Sequence, residues 1–261
     1  MLLYRTGMTK ITRRQFLGLT ALALPAALGA DARFIEPTSL RVTKFSPGGG
    51  GDCRFVHFSD FHHKGDVRYA TEVVRTINEL APEFVCFTGD LVEDARFATE
   101  ALGFIHQIQA PVYGSPGNHD YWSHVSFPEF ERAFAATGGA WLVDRSIVLE
   151  KHDLELVGMA RRGIHAFAAP NASRQVLLMH YPGMANSLQG RRFDLILAGH
   201  SHGGQVRLPF YGALIVPHGV GPYELGYYET PGGPLYVNAG IGTYRVPLRL
   251  NCRPEITVVT M

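Results

Sequence analysis

Cysteine is scarce in this 261-residue chain, and the three cysteines lie far apart. Cys53, Cys86 and Cys252 form no C-x-x-C pair, and an odd number gives no paired disulfide framework. Cys53 and Cys86 fall in runs that read as strands, where cysteine usually behaves as a small buried apolar side chain. This scarcity argues against a zinc–thiolate site and against a disulfide-rich fold.

The sequence also lacks internal repeats, heptads and any apolar run of the roughly 20 residues that a bilayer span needs. The apolar stretch near the N-terminus, residues 16–28, has 13 positions and is too short to span by itself. Charged residues make up 18% of the chain and apolar residues 46%, which favours one compact globular domain over a disordered chain.

Residues 1–32 read as a targeting segment preceding the domain at 33–261. The segment combines four basic residues, an apolar stretch and a cleavage-type tripeptide: Arg5, Lys10, Arg13 and Arg14, residues 16–28, and Ala30-Asp31-Ala32. Residues 12–17, Thr-Arg-Arg-Gln-Phe-Leu, resemble a twin-arginine export signal. We therefore expect export by the twin-arginine machinery to the periplasm or the outer face of the inner membrane. An uncleaved membrane anchor and a frayed amphipathic helix are the alternatives.

The charge balance gives no sign of a nucleic-acid partner. Removal of residues 1–32 takes away four of 24 basic residues and one of 23 acidic ones, leaving 20 against 22. A mature chain with a net charge of −2 has no polycationic footprint, so we expect no nucleic-acid binding.

Five short segments carry side chains suited to metal binding. They are Asp60-Phe61-His62, Gly89-Asp90, Gly117-Asn118-His119-Asp120, His180 and Gly199-His200-Ser201-His202. Each follows a run that reads as a buried strand, at residues 53–58, 84–87, 111–113, 176–179 and 195–198. Residues that leave the carboxyl ends of neighbouring strands converge on one edge of a sheet. Oxygen and imidazole ligands without thiolates favour Mn²⁺, Fe or Zn²⁺.

The order of these motifs resembles that of the calcineurin-like metallophosphoesterase superfamily: D-x-H, G-D, G-N-H-[D/E], H and G-H-x-H. The resemblance covers residues 53 to 202, with later strands continuing to about 259. It implies an α/β fold, a four-layer αββα sandwich with a dinuclear metal site at the carboxyl ends of the strands. Helical periodicity at 66–80, 95–109 and 127–136 and further strands at 147–150, 154–159, 235–238 and 255–260 suit that architecture.

The resemblance also implies a role for each motif residue. Asp90 would bridge two divalent ions; the remaining ligands would be Asp60, His62 and His202 for the first ion, and Asn118, His180 and His200 for the second. A hydroxide that bridges such a pair attacks phosphorus in two-metal hydrolysis. His119 resembles the family histidine that donates a proton or a hydrogen bond to the leaving group.

The chain departs from the family pattern after Asp90. In many relatives an aspartate three residues further on orients the catalytic histidine, whereas here that offset holds Glu93, with Asp94 beside it. Either carboxylate could serve, or neither. Weaker candidates for supporting or substrate-contacting roles are His63, His124 and Arg161.

Residues 203–233 form a Gly/Pro/Tyr-rich stretch with more apolar side chains than a solvated loop needs: Phe210, Leu214, Ile215, Val216, Tyr223, Tyr227 and Tyr228. We expect it to face a substrate or a membrane; an exposed connection is the alternative. With residues 238–242 and 253–256, it looks like the exported, membrane-associated bacterial subgroup of the superfamily.

Three functions follow from these resemblances. The first is metal-dependent hydrolysis of a phosphomonoester, phosphodiester or pyrophosphate, including one carried by a lipid or envelope component. The second is UDP-2,3-diacylglucosamine pyrophosphatase activity of lipid A synthesis at the inner membrane, since some relatives in the subgroup have it. The third is an inactive scaffold, which usually loses ligands that are all present here.

Overall fold

The computed structural model describes residues 12–160, 170–188 and 190–261, and Arg161 lies outside them. Two six-stranded sheets form the body of the fold. The first contains β1 (Arg41–Phe45), β2 (Arg54–Phe58), β3 (Val85–Phe87), β4 (Val112–Gly114), β5 (Ala140–Trp141) and β14 (Glu255–Thr260). The second contains β6 (Arg145–Leu149), β7 (Leu154–Met159), β8 (Arg174–Met179), β9 (Leu195–Ala198), β12 (Gly226–Thr230) and β13 (Gly233–Val237).

Strand order places the motif-bearing strands next to one another. The first sheet runs β1-β14-β2-β3-β4-β5, with β2, β3, β4 and β5 mutually parallel. The second runs β12-β13-β9-β8-β7-β6, with β13, β9, β8 and β7 parallel. Parallel neighbours bring their carboxyl ends to the same edge of each sheet, so the turns after β2, β3, β4, β8 and β9 can meet.

Alternating side chains of each strand serve two different cores, as the two-residue repeat of a strand requires. Phe55 of β2 and Leu197 of β9 belong to the core between the sheets. Val56 of β2 packs toward the helices, and Ile196 of β9 toward the outer face of the second sheet. Both central sheets are thus buried on both faces, which explains their continuous apolar runs.

Helices cover the outer face of the first sheet. The chain forms α1 (Arg13–Ala30), α2 (Val67–Glu79), α3 (Ala98–His106), α4 (Asn118–Trp122) and α5 (Phe127–Ala136). The Asp66 side chain caps α2, and its buried face, including Val73 and Ile77, packs on the sheet. Among the described residues, the outer face of the second sheet is covered by the 3₁₀ segment Pro182–Ser187 and by Tyr223.

The stretch 203–233 is more ordered than a loop. It contains a short hairpin of β10 (Arg207–Leu208) and β11 (Gly212–Ala213) and then the edge strand β12. Tyr223 is buried, and the Tyr228 hydroxyl accepts the backbone N–H groups of Glu224 and Leu225. The expectation that these two tyrosines face a membrane or substrate was wrong, because both pack on the second sheet.

The N-terminal helix is longer than its apolar run. From Arg13 the helical chain continues through Asp31–Ile35 and Glu36–Thr38, and by length and composition it could cross a membrane, although a signal sequence passes the same test. The 13-residue apolar stretch had indicated a segment too short to span. The Ala32 carbonyl accepts the Arg249 N–H, so the segment after α1 packs on the fold. The domain boundary at residue 32 stays a prediction.

Candidate metal centre

The turns that follow β2 and β3 are joined to each other by backbone hydrogen bonds. The Asp60 N–H donates to the Gly89 carbonyl at 2.9 Å, and the His62 N–H donates to the Asp90 carbonyl at 3.0 Å. In the second sheet the Gly199 N–H donates to the His180 carbonyl at 3.2 Å. The positions of the motif residues are therefore fixed by the backbone.

Two motif glycines are required by close approach. A Cβ on Gly117 would lie 2.1 Å from the Asp90 Oδ1 atom, and one on Gly199 would lie 1.9 Å from Ser59 Oγ and 2.4 Å from Asp60 Oδ2. Both carboxylates press directly against these backbones. Any side chain there would displace Asp90 or Asp60.

The backbone of the centre is strained. Five of the seven expected ligands have left-handed φ values: Asp60 (52°), His62 (44°), Asp90 (62°), His200 (66°) and His202 (50°). This region costs a non-glycine residue of order 1–3 kcal/mol and persists only where the surroundings enforce it. Such strain at consecutive motif turns is typical of a functional site.

One half of the centre contains Asp60, His62 and His202, all buried. The Nε2 atoms of His62 and His202 are 3.1 Å apart, and Asp60 Oδ1 lies 3.4 Å from His202 Nε2. His62 donates from Nδ1 to Glu93 at 2.6 Å, which leaves its Nε2 lone pair toward His202. Two imidazole nitrogens and a carboxylate oxygen converge on one point.

The other half contains Asp90, His180 and His200. His180 donates from Nδ1 to the Thr88 carbonyl at 2.7 Å, and His200 donates from Nε2 to the His218 carbonyl at 2.8 Å. The free nitrogens of these rings, His180 Nε2 and His200 Nδ1, are 3.1 Å apart. This half repeats the arrangement of the first.

A single oxygen of Asp90 connects the halves. Asp90 Oδ2 lies 3.5 Å from His62 Nε2 and 3.1 Å from His180 Nε2, while Oδ1 accepts the His119 N–H at 2.7 Å. An oxygen that faces both imidazole pairs has the position of a bridging ligand.

These residues fit a pair of divalent cations. The buried Asn118 Oδ1 has no hydrogen-bond donor among the described residues, although a buried carbonyl oxygen normally has a partner. In each half, two imidazole nitrogens lie 3.1 Å apart, close enough for both to bind one proton or one metal ion. The donor set is oxygen and nitrogen only, which suits Mn²⁺, Fe or Zn²⁺.

Comparison with known proteins decides the family. The family model for calcineurin-like phosphoesterases matches residues 53–204, more than half of the chain. The chain belongs to this family. It is a metal-dependent phosphoester hydrolase.

Three relatives extend the similarity beyond the matched region. The uncharacterized metallophosphoesterase YkuE of Bacillus subtilis (strain 168) is 31% identical over 97% of this chain and 99% of its own length. The phosphodiesterase YaeI of Escherichia coli (strain K12) is 25% identical over 96% of this chain and 99% of its own length. The UDP-2,3-diacylglucosamine pyrophosphatase LpxG of Chlamydia trachomatis (serovar D) is 26% identical over 92% of this chain and 94% of its own length.

The pKa values of residues in the metallophosphoesterase centre are shifted by burial and by the charged groups packed around them. Burial alone would raise the pKa of Asp60 and Asp90, but neighbouring imidazoles, His202 and His180 foremost, hold both well below their usual range. Burial lowers the pKa of His62 and His180, yet adjacent carboxylates raise each to about 9. Protons and metal ions therefore compete for the same nitrogens.

Asp120, the last residue of the G-N-H-D motif, supports the centre. Its buried carboxylate accepts the N–H groups of Asp90 and Gly117, both at 2.8 Å, and of Leu91 at 2.9 Å. One side chain thus ties the turn after β3 to the turn after β4. The sequence motif alone had given Asp120 no specific role.

Glu93 contacts the histidine expected to be catalytic. Its Oε2 atom lies 3.2 Å from His119 Nδ1 as well as 2.6 Å from His62 Nδ1. The longer side chain of glutamate thus reaches His119. Asp94 does not serve here: it points outward, where its carboxylate caps the turn Ala95–Phe97 and pairs with Arg96.

Two of the weaker candidates lie away from the centre. His63 is buried among Phe61, Phe97 and Phe104, and its Nε2 contacts the Glu100 carboxylate. His124 is exposed at a left-handed turn after α4. His63 also borders a cleft next to His62, so a substrate-contacting role for it stays a prediction, whereas the exposed position of His124 gives no support to such a role.

Three aromatic side chains surround the centre, and none of them was expected there from the motifs. Trp122 and Tyr244 contact the His119 ring, with centroids 4.9 Å and 5.4 Å away, and Tyr181 contacts His200 at 4.3 Å. Trp122 is 61% exposed, so its ring lies between His119 and solvent at the entrance to the metal centre. Trp122 comes two residues after the G-N-H-D motif and Tyr181 comes directly after His180. This closeness to the motifs is the one sequence signal that could have placed these two side chains near the centre.

Replacement of Asp90 by alanine tests the bridging position. We expect Asp90→Ala to lose affinity for both ions, because one oxygen faces both halves of the centre. Elemental analysis of dialysed protein measures the metal content. Asp94→Ala is the matched control, since that nearby carboxylate points away. Two ions retained by Asp90→Ala would rule out the shared ligand.

Proposed function

We propose that this enzyme hydrolyses the phosphoester of an amphiphilic, membrane-associated molecule. The observation that carries the proposal is a cleft of about 300 Å³ that borders His62 on one side and the segment directly after α1 on the other. Residues 33–38, which continue the apolar helix, form part of its wall. A substrate in this cleft would contact both the centre and the base of the N-terminal helix.

In this proposal the seven clustered side chains hold two divalent ions. Asp60, His62 and His202 bind one, Asn118, His180 and His200 bind the other, and Asp90 is shared. When bound, the ions would supply an activated water and neutralise charge on the phosphoryl oxygens. The hydrogen bonds to Glu93, Thr88 and His218 support this assignment, because each fixes which nitrogen of a histidine faces the centre.

His119 is proposed as the proton donor to the leaving group. Its Nδ1 faces the Glu93 carboxylate and its backbone N–H is held by Asp90, so the ring is positioned by two acidic residues. Burial lowers the pKa of His119, with the charge of Asp90 opposing that effect. Glu93 orients the ring and stabilises its protonated form.

The lining of the cleft suits an amphiphile. Lys64 and Arg33 supply positive charge for phosphate groups, and the Lys64 ammonium is held near the site by a 2.7 Å hydrogen bond to the Thr243 carbonyl. Phe34, Pro37 and Pro247 supply apolar surface, and the Arg33 guanidinium carbon lies 5.0 Å from the centroid of the Phe34 ring. The cleft therefore offers both cationic and apolar groups to one substrate.

A narrower candidate is a UDP-2,3-diacylglucosamine pyrophosphatase activity. It is favoured by the similarity to LpxG over almost the full length of both chains. That molecule combines a pyrophosphate with two acyl chains, which matches the two kinds of lining. It would require the domain to stay on the cytoplasmic side, with α1 as an uncleaved anchor.

Replacement of His119 tests its proposed role. His119→Gln should keep both metals and lower turnover by about 10²–10⁴, as expected when a general acid is lost. The loss should be larger for alkyl esters than for p-nitrophenyl esters, whose leaving group needs no proton. Steady-state kinetics on both substrates provide the measurement, with His124→Gln as the control. Equal losses on the two esters would contradict an acid role.

The amphiphile proposal is tested by comparing substrates. Phe34→Ala should lower kcat/KM for a long-chain phospholipid or nucleoside-diphosphate lipid in mixed micelles, while hydrolysis of a p-nitrophenyl phosphodiester stays unchanged. The exposed Val67, outside the cleft, provides the control variant Val67→Ala. If the parent enzyme hydrolyses only small soluble esters, or Phe34→Ala affects both substrates equally, the amphiphile proposal fails and the metal chemistry stands.

The N-terminal segment is proposed to direct twin-arginine export. The double replacement Arg13→Lys and Arg14→Lys should leave the protein folded and active inside the cell but prevent its export, because lysine does not reproduce the planar guanidinium geometry. Cell fractionation with activity measurement in each fraction shows the outcome. Unchanged export would point to the general secretory route.

A further inference from the structure

The β10–β11 hairpin and the two residues that follow it present large apolar side chains to solvent. Phe210 is fully exposed, Ile215 is 80% exposed and Tyr211 73%, with Leu208 and Leu214 also exposed. Five such residues within eight positions form a contiguous segment, called here the apolar tip (residues 208–215). Single exposed apolar residues are common on protein surfaces, but a contiguous cluster indicates a binding surface.

The base of the hairpin is held in place. Arg207 donates to the Gly203 carbonyl at 2.8 Å and to Glu224 at 3.2 Å, and the same Glu224 oxygen accepts the Ala213 N–H at 3.2 Å. At the tip, Phe210 has a φ of 66°, an unfavourable conformation for a bulky side chain. The fold therefore maintains the outward position of Phe210 at a cost.

The charge pattern of this region favours a lipid surface. Between Arg207 and Tyr223 the chain contains no acidic residue, and its ionisable groups are Arg207 and His218, apart from tyrosine. The Arg207 guanidinium is paired with Glu224 at 3.2 Å, so the base of the hairpin carries no unpaired charge. An uncharged segment with apolar and aromatic side chains enters the membrane interface without burying an unpaired charge.

The apolar tip and α1 are attached to the same short segment of the fold. The Asn251 side chain donates to the Arg207 carbonyl at 3.0 Å, and the Asn251 backbone N–H donates to Glu36 at 2.9 Å. Glu36 lies six residues after the end of α1, about 9 Å along a helix. The bases of the two exposed apolar elements are therefore connected through Asn251.

We propose that the apolar tip inserts into the interface of the same bilayer that α1 enters. The inference rests on the proposed membrane association. A single helix permits rotation of the domain about its axis, and a second contact removes that freedom. Because Gly203, which anchors the hairpin, directly follows His202, the second contact would hold the metal centre at a fixed distance from the lipid headgroups.

Site-specific fluorescence on the full-length protein tests the proposal. The native cysteines are buried, with at most 3% exposure, so an environment-sensitive probe will label an introduced cysteine selectively. Three variants carry the probe: Phe210→Cys on the tip, Leu24→Cys on α1, and Glu131→Cys on the exposed side of α5 as the control. Each is reconstituted into phosphatidylcholine–phosphatidylglycerol vesicles.

We expect the probe at position 210 to shift to shorter wavelength on vesicles, to lose quenching by iodide, and to be quenched by shallow spin-labelled lipids more than by deep ones. The probe at 131 should show none of these changes. If position 24 enters the bilayer while position 210 stays accessible to iodide, the tip proposal is wrong and membrane anchoring stands. If neither enters, both proposals fail.

Two further readouts distinguish insertion into the bilayer from self-association and from misfolding. A blue shift at position 210 without vesicles would indicate self-association and would overturn the proposal. Tyr211→Cys, next to Phe210 in the turn between β10 and β11, repeats the measurement if Phe210→Cys does not fold. Hydrolysis of a soluble p-nitrophenyl ester, measured on each labelled sample, reports separately on the metal centre.

Discussion

Two buried carboxylates and four imidazoles face one another at the edge where the sheets meet, and the rest of the structure serves this concentration of ligands. Within each half of the centre, two ring nitrogens lie 3.1 Å apart. Lone pairs at that distance repel unless a proton or metal ion lies between them. Each pair therefore calls for a proton or a metal ion between its rings, and the protein holds the rings in place for it.

The backbone geometry holds the ligands in this arrangement. Left-handed turns at five expected ligands bend the chain sharply at the strand ends, and each turn is hydrogen-bonded to its neighbour. Gly117 and Gly199 let the Asp90 and Asp60 carboxylates approach the adjacent chain. Asp120 adds three N–H contacts beneath Asp90. The strain is tolerated because two sheets buried on both faces stabilise the surrounding fold.

Polar and apolar side chains line the same cleft. Histidines and acidic residues surround the centre, whereas residues 33–38 bring apolar surface to its rim. The β10–β11 hairpin begins at Arg207, five residues after the His202 of the centre. The hydrolytic chemistry of the family and the membrane association proposed here therefore use neighbouring parts of one structure.

The sequence by itself determined the family, the α/β class and the strands that precede each motif, because long apolar runs and ordered motifs are local signals. The convergence of six of the seven expected ligands could also be predicted, since parallel strands share an edge. Their assignment to particular ions stays a prediction. Only the tertiary structure decided between Glu93 and Asp94, because side-chain reach depends on the direction of the turn after β3. It alone brought Tyr244 beside His119, 125 positions apart in the chain, and separated the packed Tyr228 from the exposed Phe210. Contacts between residues distant in sequence depend on packing, which local patterns do not encode.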